Sequence, residues 1–165
     1  MRQCEGPEDP PHVGAVDPRR GSGQPMTGSV RPSGMATEHV TVAIDRPADD
    51  VYAYASDPTH LPEWAAGLAS APLTPAGDSW AVDSPMGAIT IDFAPPNPYG
   101  VLDHTVTMPS GETVYNPMRV IADGDRSEVV FTIRQRAGMS DDELASDVAA
   151  VRADLQTLRR HVEGA

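Results

Sequence analysis

The stretch Val42-Ala43-Ile44-Asp45-Arg46-Pro47-Ala48-Asp49-Asp50-Val51-Tyr52-Ala53-Tyr54-Ala55-Ser56-Asp57-Pro58, followed by Leu61-Pro62-Glu63-Trp64, orders the beginning of the fold. Across His39–Asp45 the residues Val40, Val42 and Ile44 alternate with Thr41 and Ala43. That period of two predicts a strand with one buried side. Pro47 and the acids Asp49 and Asp50 then suit the first turn of a helix, because a proline needs no N–H partner there and carboxylates oppose the helix dipole. Asp57-Pro58 stops that helix, since the residue before a proline is pushed out of the helical region. A second short helix is expected over Thr59–Ala66, with Leu61 and Trp64 on one face.

Outward from this start, six further strands are expected at Ala69–Leu73, Ser79–Asp83, Ala88–Phe93, Val101–Met108, Thr113–Ile121 and Glu128–Arg134. Pro- and Gly-rich turns separate them, which describes an antiparallel meander. Pro117 inside one run points to an edge position or a bulge. The chain then closes on a long helix. Ser140-Asp141-Asp142-Glu143 reads as a capping box, with Met139 and Leu144 placed as a hydrophobic staple. Leu144, Val148, Val151, Leu155, Leu158 and Val162 form one apolar stripe. Arg159, Arg160, His161 and Gly164 mark its end.

Composition narrows the function. The 165 residues carry a formal charge of -12, with arginine as the only strong cation and Cys4 as the only cysteine. An acidic chain lacks the clustered cations that bind phosphates or anionic membranes. One cysteine allows no intrachain disulfide and no cysteine-based zinc site. Residues 1–34 hold six Pro and six Gly and lack Leu, Ile, Phe, Tyr and Trp. They cannot bury enough apolar surface to offset chain entropy, so a disordered tail is expected, with the domain over 35–165. Met35 is consistent with a start codon assigned too far upstream. No signal peptide and no run long enough for a membrane span is evident. The body is expected to be cytoplasmic.

The order of elements, and above all the stretch quoted at the outset, resembles the START-like (helix-grip, or SRPBCC) superfamily, and within it the polyketide cyclase/dehydrase and lipid-transport group, over residues 36–163. The resemblance implies an α+β fold: a curved antiparallel sheet of about seven strands wrapped around the C-terminal helix, with two short helices after the first strand. It also implies an elongated cavity between sheet and helix. The body is rich in alanine and poor in large apolar residues, which is compatible with such a void.

No nucleophile elbow, phosphate loop or His-Glu-x-x-His pair is present, and no cofactor is implied. Scattered histidines and acids offer no metal-ligand spacing. The candidates are polar residues inside strand patterns. His104 shares a face with Leu102, Val106 and Met108. Turned inward, it would orient a ligand oxygen or move a proton; otherwise it is hydrogen-bonded within the fold, or lies on the surface if the parity is reversed. Asp103 faces the other way and is expected to be solvated or turn-forming. Tyr115 and Arg119 share parity if Pro117 does not bulge the strand, with Asn116 opposite. An inward Arg119 would bind an anionic oxygen with help from Tyr115; otherwise it pairs with an acid. Trp64, Trp80, Phe93 and Phe131 are core rings that can double as ligand walls, with Val151 and Leu155 of the stripe opposite. Met86, Met108 and Met118 would supply adaptable surface.

The reading is therefore a protein that holds a small, mostly apolar molecule, polyketide-, lipid- or aromatic-like. One alternative is a polyketide cyclase, aromatase or dehydratase with His104 as acid-base group and Arg119 as anion stabiliser. Another is a protein-interaction module of the chaperone-activator type. A homodimer through an edge strand is compatible with each.

Overall fold

The computed structural model describes residues 36–85 and 87–164. The expected tail and Met86 lie outside them. Strand β1 is Thr37–Ile44, with Val40, Val42 and Ile44 buried on one side. Helix α1, Ala48–Ala55, begins directly after Pro47 and carries Asp49 and Asp50 in its first turn. The second helical segment is a 3-10 turn, Pro58–His60, running into the single α-turn α2, Leu61–Trp64. Asp57 caps the 3-10 turn by accepting from the Thr59 N–H at 2.9 Å.

The strands that follow are β2 (Thr74–Ala76), β3 (Ser79–Ser84), β4 (Gly87–Phe93), β5 (His104–Thr107), β6 (Thr113–Asn116), β7 (Met118–Asp123) and β8 (Arg126–Arg134). All pairings are antiparallel, in the orders β2-β3-β4-β5-β6 and β1-β8-β7. Two expectations change. Ala69–Leu73 is not a strand: its ends are buried as a connection, and pairing begins at β2, an edge strand where Pro75 needs no donor. The run Thr113–Ile121 is two strands. At Pro117, which has no N–H to give, the chain changes partner from β5 to β8, and this division brings the count to eight.

The two sets of strands are joined beside that corner. Leu102 donates to the Met118 carbonyl at 2.9 Å, and Val120 donates to that of Gly100 at 2.8 Å. Gly100 has φ +67°, and a Cβ there would collide with the Val120 carbonyl, so only glycine fits.

Helix α3, Asp141–Gly164, lies on β1 and β8. Its capping box forms: the Glu143 N–H donates to Ser140 Oγ at 3.2 Å, and the Ser140 N–H donates to Glu143 Oε2 at 2.7 Å. Leu144, Leu155, Leu158 and Val162 are buried against the sheet. Val148 and Val151, in the middle of the same stripe, are only half-buried. Val151 borders an open space between the helix and the sheet.

Candidate functional site

A partly enclosed cavity of about 570 Å³ occupies that gap. Val151 and Leu155 line it from α3, Phe131 and Ile133 from β8, and His104, Val106 and Met108 from β5 and its end. Trp64 and Leu68 close it beside α2. Trp64 is 6% exposed, and its indole N–H is shut off from solvent with no acceptor among the described residues.

His104 faces this space because it shares strand parity with buried Val106. It is 5% exposed, between the rings of Phe93 and Phe131, each 5.9 Å away centre to centre. Its Nδ1 lies 3.2 Å from the Leu102 carbonyl oxygen. A carbonyl only accepts, so Nδ1 carries the proton and Nε2 presents a lone pair. Burial pushes the imidazole pKa below its ordinary value, which keeps the ring neutral.

Asp154 of α3 also lines the cavity. Its carboxylate accepts from the Gly67 backbone N–H, yet burial outweighs that bond and raises its pKa from 3.8 to about 6. Sequence reasoning passed over this residue. Its signal was available: Asp154 lies three residues after Val151, on the flank of the apolar stripe.

Seven expected residues thus border the cavity: His104, Trp64, Met108, Tyr115, Phe131, Val151 and Leu155. Arg119, Trp80 and Phe93 are not part of it. Trp80 packs against the core beside Ile91, its partner across the strands. Phe93 lies opposite His104 in register and backs its ring. Met118 is sealed in the core at 2% exposure and forms no adaptable wall.

The polar pair turns outward. Tyr115 is opposite Thr105, whereas Asn116 is opposite His104, and opposed residues share a face. The shared parity of Tyr115 and Arg119 persists across Pro117, but their common face is the outer one. Tyr115 borders the cavity with its hydroxyl donated to Asp103, and the Arg119 guanidinium pairs with the same carboxylate. Asp103 is correspondingly buried rather than solvated, at 8% exposure, and also accepts from the Met118 N–H at 2.9 Å. Three donors converge on it and tie the sheet together beside Pro117. Among the described residues no group of three or more His, Cys, Asp or Glu side chains is gathered for a metal ion, and no helix is long and apolar enough to cross a membrane.

A family model described as polyketide cyclase/dehydrase and lipid transport matches residues 35–163. The chain belongs to this family, within the START-like superfamily. No curated protein matches it significantly. Among solved structures, DynU16, from the dynemicin biosynthetic locus, is 22% identical with a TM-score of 0.60, covering 77% of this chain and 47% of its own. The family member described here thus spans about half of DynU16. The Zhui aromatase/cyclase from Streptomyces sp. R1128 is 18% identical with a TM-score of 0.54, over 79% of this chain and 94% of its own. A conserved protein from Geobacillus kaustophilus is 11% identical with a TM-score of 0.64, over 78% and 96%. Identities this low speak to the fold alone.

Proposed function

We propose that this protein binds a small, mostly apolar molecule in the cavity under α3. The observation that carries the proposal is the wall itself: Trp64, Met108, Phe131 and Val151 enclose about 570 Å³ with His104 among them. That volume lies inside the range of ~300–1,000 Å³ typical of small-molecule sites. Its apolar lining would gain from excluding water, and its few polar groups would set orientation. Aromatic polyketides, fatty acids and sterols are the classes to screen by thermal shift. At least one should raise Tm in a saturable manner, and Val151→Phe, which fills the space, should remove the effect. No shift with any class refutes the proposal.

A second reading has one observation in its favour. Asp154 carries a pKa of about 6 on the cavity wall, close to where proton transfer at neutral pH is efficient. With the neutral His104 as a base, the cavity would support cyclase or dehydratase chemistry near a carbonyl. Arg119 has no role in it, being paired with Asp103 on the other face. A pH–rate profile with a limb near 6 that disappears in Asp154→Asn would support this reading. A profile unchanged by that substitution refutes it.

A further inference from the structure

Two polar side chains on the cavity wall sit directly opposite each other: His104 on β5 and Asn116 on β6. His104 Nδ1 is committed to the Leu102 carbonyl, which leaves Nε2 as an acceptor with no partner among the described residues. The Asn116 amide likewise makes no hydrogen bond among the described residues, and it offers both donors and an acceptor. Neighbouring donors do not complete the imidazole. Arg136 pairs with Glu112, and Gln135 donates to the Met139 carbonyl and to Asp141. The Trp64 N–H is buried away from the accessible surface.

We propose that His104 and Asn116 together read a hydroxyl group on the bound molecule, so that the cavity takes phenols, enols or alcohols in preference to isosteres that only accept. A hydroxyl donates to His104 Nε2 and accepts from the Asn116 amide at once. An ether or ketone oxygen in the same place leaves the imidazole lone pair facing another acceptor in an apolar site. A site built around a hydrogen bond rejects a ligand that cannot complete it, because the buried polar group is then left unpaired. The inference rests on the proposed binding function and adds the chemical class of the ligand.

The test uses 1-naphthol, 1-methoxynaphthalene and the full-length protein, with affinities from calorimetry or from Trp64 fluorescence. The wild type should bind the naphthol at least tenfold more tightly. His104→Phe should bring the two probes to within about threefold, and Asn116→Ala should narrow the gap part-way. Equal affinities in the wild type overturn the hydroxyl preference while leaving the cavity function standing. A preference that survives His104→Phe removes His104 from it. Binding of neither probe overturns the hydroxyl preference and leaves the cavity function to the thermal-shift screen. Should His104→Phe fail to fold, long-range proton–nitrogen correlation spectra of the wild type decide the underlying point. A proton on Nδ1 is expected, and a proton on Nε2 overturns the proposal.

Discussion

Replacing Asp154 by asparagine should make the protein more stable, and only above a particular pH. Burial raises this carboxyl from 3.8 to about 6 in the folded chain. Between those values the native state holds a proton that the unfolded chain has released, so stability falls as pH rises through the interval. A rise of roughly two pH units corresponds to a penalty of roughly 3 kcal/mol once the group is fully ionised. Asp154 keeps some contact with solvent, which reduces the penalty to about 1–2 kcal/mol. The asparagine amide would still present an oxygen to the Gly67 N–H but would carry no charge to desolvate. For a domain of this size, Asp154→Asn should therefore raise Tm by about 4–8 °C at pH 8 and change it little at pH 4. Thermal melts of both proteins, followed by circular dichroism from pH 4 to 8, give the measurement. An offset that is the same at both ends, or a variant less stable at pH 8, refutes the reasoning.

Three other perturbations follow from the same structure. Asp103→Ala leaves the Met118 N–H, the Tyr115 hydroxyl and the Arg119 guanidinium without their shared acceptor and should cost about 2–4 kcal/mol in urea unfolding; a loss under about 1 kcal/mol would mean that solvent replaces the carboxylate. Gly100→Ala places a Cβ against the Val120 carbonyl at φ +67° and should cost about 2 kcal/mol or more by the same assay, as for other strained backbone positions. Val151→Phe has a cavity to fill, so its Tm should stay within about 4 °C of wild type, equivalent to ~1 kcal/mol, and a larger fall would show that the space over Val151 is already occupied by protein.

Much of this molecule was legible residue by residue. The alternation of Val40, Val42 and Ile44, the capping box at Ser140–Glu143 and the stripe from Leu144 to Val162 each depend on spacings of a few residues. Such spacings are local, and the structure keeps them. The placing of Asp103, Tyr115 and Arg119 was less legible. Their alternation said which side chains lie together, and it was right that Tyr115 and Arg119 share a face. It could not say which face the rest of the chain would cover, and these two residues belong to the outer one. The strand at Ala69–Leu73 failed for a related reason: buried ends resemble a strand whether or not a neighbour is present to pair with it.

By itself, then, the order of residues determined the first strand, the helices, most of the later strands and the net acidity, but not the pairing at β2 or the division at Pro117. Packing alone decided that Val148 and Val151 are only half covered, that His104 looks into the resulting hollow and that Asp154 meets Gly67 across it. Periodicity is a relation between near neighbours along one segment. A void, a desolvated carboxyl and a histidine held in one tautomer arise where segments far apart in the chain approach one another, and no short window of sequence contains both sides of that approach.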